Sequence, residues 1–551
     1  MLEGFVPFPP QTAERYLREG HWRRQTIAQA LGAAARRHAA ARPGAIAVAD
    51  ARRAVGFTEL LGESARLAAL LESHGVKRGD RIIVQLPNRV EFATLTLACA
   101  EIGVVPLMAL PAFRHAELEP LIALAKPVAI AIAPRYRGFD HAALARALCA
   151  RHPPLRTIFT TEPVDGAVAL DSKIHPRGEI GSRGGDPFEV AMMLLSGGTT
   201  GVPKLIPRTH ADYLSGAEAS TPVCAVTERS RILIAIPIEH NFALGAPGLI
   251  GALLAGATTI LSESTHAGDL ARIAAAERAT HLPCVPALAL SLLELPDRER
   301  ANLASLRVIT VGGQRLQEPT ARALRRAFPD LAVQQVLGMS EGMLCYTRLD
   351  EGDELACTTQ GRPASAGDEI RVVRADGTDA QPGETGELWC RGPYTIRGYY
   401  RAPKENRVRF STDGFYRTGD LVRRTPSGNL IVEGRIKDQI NRGGEKISAE
   451  EIEAHIIAHP AVTAAAVVGM PDARMGEKAC AFVTLAPGAM LSLEALCAFL
   501  AERGLARFKL PERVEVIEAM PLTNVGKIKK AELKLAIERQ IAAERAARVG
   551  E

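Results

Sequence analysis

Five short apolar runs recur along the first 311 residues, with stretches of helical periodicity between them, and this alternation limits the fold more than any other feature of the chain. The runs are residues 82–84, 128–132, Val190–Leu195, 232–236 and 308–311. Such runs read as strands buried on both faces, as in parallel sheets covered by helices. One of the intervening stretches, residues 58–73, sets Leu60, Leu61, Leu67, Leu70 and Leu71 on one helical face, with Gly75 placed to stop it. The expected class is α/β: a large N-terminal domain of α/β subdomains. Between about 369 and 434 turn dipeptides (Asp376-Gly377, Asp413-Gly414, Ser427-Gly428) separate short strands, which predicts a β-rich subdomain. Beyond it, Ser448-Ala449-Glu450-Glu451 forms a capping box that starts a helix, and Pro460 follows its end. Strand-like 462–468 and 481–485, a helix over 493–503 stopping at Gly504, and a last helix from Lys529 to about Val549 complete a small α+β C-terminal domain. The expected division is a body of residues 1–434 and a small domain of residues 435–551.

Composition narrows the class further. At roughly 100–200 residues per domain, a chain of 551 residues holds two to four domains. A hydrophobic share of 47% excludes disorder as the main state. The net charge of +5 is mild, and no basic run is interleaved with aromatics, so no nucleic-acid partner is expected. The nine cysteines form no CxxC pair, which argues against a zinc site or disulfide framework and for reduced thiols in the cytoplasm. The first residues show no basic segment followed by a long apolar one, so they do not read as a signal peptide. Residues 241–262 carry no charge and have the length of a membrane span. Gly245, Pro247, Gly248, Gly251 and Gly256 interrupt them, so they are expected to form a helix buried in the large domain, with no membrane insertion.

The sharpest local signal is Ser196-Gly197-Gly198-Thr199-Thr200-Gly201-Val202-Pro203-Lys204, directly after the run Val190–Leu195. Its glycines let backbone N–H groups approach a polyphosphate, its hydroxyls can donate to phosphate oxygens, and Lys204 adds positive charge. It is not a Walker A loop, because Lys204 stands three residues after Gly201.

This segment resembles the phosphate loop of the adenylate-forming superfamily of acyl-CoA synthetases, peptide-synthetase adenylation domains and luciferases. Further segments resemble the family's motifs in order: Leu337-Gly338-Met339-Ser340-Glu341, with Leu337 and Ser340 in place of the commoner Tyr and Thr; Gly386-Glu387-Leu388; Tyr416-Arg417-Thr418-Gly419-Asp420; the hinge motif from Gly434 to Ile440; and the C-terminal lysine motif from Pro521 to Ile528. The resemblance implies a ligase that joins a carboxylate to the α-phosphate of ATP, releases pyrophosphate and then acylates a thiol. By the same resemblance Lys527 bridges carboxylate and α-phosphate, Glu341 holds Mg²⁺ with Thr200, and Asp420 binds the ribose with Arg435. Adenine is expected against Gly312-Gly313-Gln314 and the Gly338-Met339 backbone. Lys437 is the expected hinge, and Gly443-Gly444 the expected thiol channel.

Amino-acid-activating relatives usually carry an aspartate where this chain has Asn241. A neutral amide there would leave an α-ammonium unpaired in a buried pocket, and it fits an acid with a neutral ortho substituent. The phrases LSGGTTGVPKLIPRTH, HNF, QQVLGMSEG, CYTRLD, RGPYTIRGYYR and KDQINRGGEKI are similar to those of stand-alone aryl acid adenylating enzymes of siderophore pathways. That likeness implies that Asn241 bonds the ortho hydroxyl, Phe242 packs on the ring and His240 lines the entrance. It also implies an aryl carrier protein bearing phosphopantetheine as acceptor, with free coenzyme A as the alternative of an aryl-CoA ligase. Ala246 stands where 2,3-dihydroxybenzoate enzymes typically carry Ser and salicylate enzymes Cys, and Leu344 stands where a smaller Val is usual. Alanine offers no partner for a meta hydroxyl, and leaving one unpaired costs about 1–3 kcal/mol. Salicylate is therefore the expected acid, with 2,3-dihydroxybenzoate second. A non-catalytic adenylate-binding protein is the reading from another class, and the intact Lys527, Glu341, Asp420 and Lys204 argue against it.

Overall fold

Each of the five apolar runs forms a strand: Arg81–Gln85, Ala129–Ile132, Val190–Leu195, Arg231–Ile234 and Val308–Gly312. The structure is a computed structural model that describes residues 2–196, 204–442, 445–472, 475–503, 505, 507–523 and 526–549. Two mixed sheets take up the runs. The nine-stranded sheet has the order Arg362–Pro363, Gly342–Tyr346, Ala332–Met339, Val308–Gly312, His281–Cys284, Arg231–Ile234, Thr258–Leu261, Ile46–Ala49, Ala54–Gly56. Its middle is parallel and its two ends are antiparallel. The seven-stranded sheet has the order Leu205–Thr209, Val190–Leu195, Val105–Met108, Arg81–Gln85, Ala129–Ile132, Thr157–Thr160, Val168–Ala169, and only its first pair is antiparallel. The parallel strands are buried on both faces, which explains why they read as unbroken apolar runs. Leu233, Leu282, Ile309 and Val333 center one core and Ile83, Leu107, Ile130 and Met193 the other.

The chain packs into two compact units. One comprises Met1–Leu316, Ala321–Glu369 and Cys390–Tyr416, and the other Gln317–Thr320, Ile370–Trp389 and Arg417–Glu551. The first is α/β. The second, smaller one is α+β and holds a four-stranded sheet ordered Glu369–Val373, Thr385–Arg391, Tyr416–Arg424, Leu430–Arg435. It also holds a sheet in which Gly476–Leu485 pairs with Val462–Asp472, Gln439–Arg442 and Arg513–Val516. The helices Ala449–Ile456 and Leu493–Glu502 supply Ile452, Ile456, Leu496 and Leu500 to its core. Ser448 caps the first of these helices by accepting from the Glu451 N–H at 3.3 Å, but the reciprocal half of the capping box is not formed: the Glu451 carboxylate accepts from the Lys509 ammonium at 2.6 and 2.8 Å, and the Ser448 hydroxyl donates to the Glu433 carbonyl.

The uncharged stretch 241–262 is not the single buried helix that its length suggests. It forms the helices Asn241–Gly245 and Gly248–Ala255, then the strand Thr258–Leu261. Pro247 brings no N–H to a continuing helix. Gly248 has φ +50° and sits so close to the Ala243 carbonyl that a side chain would collide with it. The β-branched Thr258, Thr259 and Ile260 then favour a strand. Among the described residues no helix is long and apolar enough to cross a membrane.

Candidate active site

The glycine-rich loop joins two antiparallel strands of the first unit, Val190–Leu195 and Leu205–Thr209. Gly197, Gly198, Thr199, Thr200 and Gly201 lie outside the described residues. The base of the loop is closed by Ser196, whose N–H donates to the Lys204 carbonyl and whose Oγ accepts from the Lys204 N–H, both at 3.0 Å. The Lys204 ammonium is ion-paired with Glu405 and lies 5.0 Å from the centroid of the Tyr399 ring. Glu405 is held below the usual carboxylate range by Lys204, with Arg409 helping.

Ser340 and Glu341 form the turn between the antiparallel strands Ala332–Met339 and Gly342–Tyr346. Gly342 has φ +148°, and a Cβ there would strike Thr395 Cα and, at 2.6 Å, the Tyr394 carbonyl, so the turn needs glycine at that position. Beneath the turn lies a buried ion pair, Arg208 Nε to Asp212 Oδ1 at 2.8 Å, one helical turn apart. Arg208 also donates to the Ser340 carbonyl at 2.9 Å and the Tyr394 carbonyl at 3.0 Å, which ties two loops to one guanidinium. Removing one member of such a pair costs about 3–5 kcal/mol, because the other charge is stranded. The half-buried Glu341 accepts at Oε1 from the Tyr399 hydroxyl at 2.7 Å, and Tyr399 shares a further bond with Tyr416 at 2.9 Å. Burial and the nearby Glu341 carboxylate push the Tyr399 phenol well up, so it stays a donor. The Glu341 carboxylate is the acid of this turn that could meet an ion. One carboxylate oxygen suits magnesium, which takes one or two protein oxygens and fills its shell with phosphate and water. Among the described residues no group of three or more His, Cys, Asp or Glu could hold a metal.

The predicted acid-pocket residues come together in the first unit. Asn241 opens the short helix Asn241–Gly245, is 8% exposed, and donates through Nδ2 to the Met339 carbonyl at 3.3 Å. The half-buried His240 is the N-cap of that helix. Gly312, at the end of its strand, lies against Phe242: a Cβ there would be in ordinary contact with Phe242 Cε1 at 3.4 Å and would clash with Val336. A Cβ on Gly338 would come within 3.0 Å of Leu344 Cδ2. Gly313 and Gln314 follow Gly312 on an exposed turn. Ala246 is 1% exposed, and its carbonyl accepts from the Tyr346 hydroxyl at 2.9 Å. Next to the pocket segment sits Glu239, whose two carboxyl oxygens are buried without a hydrogen-bond partner among the described residues. Burial pushes its carboxyl up to about 8.

The remaining predicted residues lie in the second unit. Asp420 and Arg435 face each other across adjacent strands, with Arg435 Nε 2.7 Å from Asp420 Oδ1. The preceding Gly419 N–H donates to Glu387 at 3.1 Å, and the Trp389 indole donates to the same carboxylate at 2.8 Å. Lys437 lies in a single 3₁₀ turn, Ile436–Asp438, and its side chain is outside the described residues, as are Gly443 and Gly444. Lys527 sits on a tight hairpin. Its N–H donates to Thr523 Oγ1 at 3.0 Å, and its carbonyl accepts from the Thr523 N–H at 2.7 Å.

Reading the sequence alone missed Tyr399, Arg208 with Asp212, and Glu405. Arg208 and Asp212 are spaced at i,i+4 across a helix start, a signal that could have been weighed. Tyr399 is 58 positions from Glu341 and Glu405 is 201 from Lys204, and no local pattern joins residues so far apart.

The fold and the places of these motif residues agree with an ATP-using ligase of the adenylate-forming class. Residues 35–400 match the model of the AMP-binding enzymes and residues 451–527 that of the AMP-binding enzyme C-terminal domain, so the chain belongs to this family. It is 42% identical over 547 residues to the 2,3-dihydroxybenzoate-AMP ligase of Bacillus subtilis, covering 98% of this chain and 99% of that one. It is 41% identical over 538 residues to a Mycobacterium tuberculosis protein named salicyl-AMP ligase / salicyl-S-ArCP synthetase, covering 96% and 94%. Among solved structures, apo MbtA of Mycobacterium smegmatis matches with a TM-score of 0.73 at 41% identity, covering 98% of this chain and 99% of that one.

Proposed function

We propose that the protein activates an aryl acid with ATP to give aryl-AMP and pyrophosphate, then passes the aryl group to the phosphopantetheine thiol of an aryl carrier protein in siderophore-type nonribosomal peptide synthesis. Salicylate is the preferred acid and 2,3-dihydroxybenzoate the second. The observation that carries the reading is Asn241. Its Nδ2 is committed to the Met339 carbonyl, so its oxygen is oriented to accept from an ortho hydroxyl. A neutral acceptor at that point selects against an ammonium and for a phenol. The buried Ala246, which offers no hydroxyl, and Leu344, 3% exposed, support salicylate over its 3-hydroxylated relative. The two named relatives act on different acids by their names and are almost equally similar, so overall identity does not choose between them.

In this reading a carboxylate oxygen attacks the α-phosphorus, and the bond to pyrophosphate breaks. Lys527 neutralises the two meeting anions in the transition state. Asp420, with Arg435 beside it, takes the ribose hydroxyls; Gly312, Gly313 and Gln314 with the Gly338-Met339 backbone form the adenine site. Gly197 to Gly201 and Lys204 take the phosphates. Glu341, with Thr200, would hold Mg²⁺, whose charge helps to neutralise the polyphosphate. Residues 1–434 act as the adenylation body, residues 435–551 as the mobile domain, Lys437 as its hinge, and Gly443-Gly444 as the lining of the thiol channel. The nine free thiols, most of them buried, support a reducing, cytoplasmic setting.

ATP–pyrophosphate exchange across a panel of aryl acids tests the reading. Salicylate is expected to exceed both benzoate and 2,3-dihydroxybenzoate in kcat/KM by about tenfold, the scale of one unpaired hydroxyl. A higher value for 2,3-dihydroxybenzoate overturns the preference. Efficient loading of coenzyme A in place of a holo-carrier makes the protein an aryl-CoA ligase.

A further inference from the structure

Lys530 stands three residues beyond Lys527 and opens the helix Lys530–Val549. A cation at a helix N-terminus opposes the helix dipole, so local preference does not explain it. Its ammonium turns inward to Glu453 Oε1 at 2.8 Å, and the two side chains keep only 20% and 12% of their exposure. Glu453 Oε1 also accepts from the Val467 N–H at 2.5 Å. Glu450, on the same helix as Glu453, is half-buried and feels the charges of Lys530, Asp420, Arg435 and Asp438. Burial pulls the Lys530 ammonium down, but Glu453, Glu450 and Asp438 more than reverse this and raise it, while burial pushes the Glu453 carboxyl up to about 7 against the pull of Lys530.

What the pair holds is short and tight. Thr523 and Lys527 close the hairpin, and the Lys529 N–H donates to the Pro521 carbonyl at 2.8 Å. Three residues span at most roughly 10 Å, so holding Lys530 limits how far the Lys527 backbone can move. The partner helix Ala449–Ile456 is itself fixed at its start, where the Ser448 hydroxyl donates to the Glu433 carbonyl. Glu433 lies two residues before Arg435 on the strand that faces Asp420. A continuous set of contacts within the second unit thus joins the Lys527 hairpin to the Asp420–Arg435 pair. A buried ion pair contributes little net stability, and the best-attested use of such pairs is to specify a geometry.

We propose that Lys530 is a positioning residue for adenylation: its ion pair with Glu453, flanked by Glu450, anchors the hairpin that carries Lys527 to the helix that follows the Asp420–Arg435 strands. This rests on the roles proposed above for Lys527 and Asp420. Lys530→Met should lower kcat for ATP–pyrophosphate exchange about 10–100-fold, the scale of a misplaced catalytic group. The KM values for ATP and salicylate should stay within about threefold, and Lys530→Arg should restore most of kcat. Glu453→Gln keeps the acceptor for Val467 and should show the same split more weakly; it is the variant to read if Lys530→Met does not fold. Unchanged kcat in a folded Lys530→Met protein overturns the proposal. A parallel rise in KM, or a melting temperature lowered by more than about 5 °C with no Arg rescue, also overturns it, because either marks a purely structural lysine. Lys527→Ala serves as the control: full exchange activity there would remove the reading of Lys527 itself.

Discussion

Around Asn241 the first unit is built almost without charge, whereas around Lys530 the second unit packs Asp420, Asp438, Glu450 and Glu453 against Arg435 and Lys530. The pocket wall from Asn241 to Ala255 carries no ionisable side chain except the neighbouring His240 and Glu239, and burial keeps Glu239 in its protonated form at neutral pH. In the function proposed above, the two regions face different problems. A pocket that must choose between acids differing by one hydroxyl gains most from shape and a single oriented amide, because an unpaired polar group in an apolar wall is costly. A region that must bring a cation to two anions gains from coupled charges, because these hold position against thermal motion without depending on close packing. Substitutions in the first region should change which acid is used. Substitutions in the second should change how fast any acid is used.

The sharpest way to break that contrast is Lys527→Ala. Exchange is expected to fall by about 100-fold or more, the scale of losing one preorganised electrostatic group, with the ranking of acids unchanged. A changed ranking would place Lys527 in selection. Next in size is Asn241→Ala, expected to lower kcat/KM for salicylate about 10–100-fold through the lost acceptor while benzoate changes little. Equal losses for both acids would mean that Asn241 supports the helix and does not read the hydroxyl.

A smaller effect concerns stability. The Glu239 carboxyl sits near 8 in the folded protein against an ordinary 4.5. The folded state therefore keeps a proton that the unfolded chain has lost. That contribution is full below about pH 4.5 and is lost as pH rises through about 8. Glu239→Gln, which does not titrate, should gain on the wild type as pH rises from about 4.5 to about 8 and keep that gain above it. Thermal unfolding from pH 5 to pH 9 measures this, and a gap independent of pH would show that Glu239 is not a buried neutral acid. The smallest effect is expected of Tyr399→Phe. Loss of its bond to Glu341 should raise the Mg²⁺ concentration for half-maximal exchange about tenfold; an unchanged requirement would separate Tyr399 from the ion site.

The strands and the order of the motifs were legible because each depends on neighbours within a few residues. Val190–Leu195 is predicted to the residue, and its period needs no partner to be seen. The stretch 241–262 was misread as one helix because apolar length is common to buried helices and buried strands. The turn at Pro247 and Gly248 separates them, and the pairing of Thr258–Leu261 with Arg231–Ile234 and Ile46–Ala49 completes the difference. Only half of the capping box at Ser448 forms, because the Glu451 carboxylate is taken by Lys509, 58 positions away. In the candidate site the chemistry-bearing residues could be named from their motifs, but the groups that hold them could not. Tyr399 beneath Glu341, Glu405 on Lys204 and Glu453 on Lys530 are ordinary residues in sequence, and only the fold brings them into contact.

By itself the sequence determined the α/β class, the adenylate-forming family and the neutral amide at Asn241, because each is written in residue types and short spacings. Only the tertiary structure decided that Tyr399 bonds to Glu341, where the Lys204 charge rests, that Glu239 is buried without a partner among the described residues, and that the Lys530 ammonium turns inward to Glu453. Those outcomes depend on burial and on contacts across tens to hundreds of residues, which set the local dielectric and the available partners, and neither is fixed until the chain has folded.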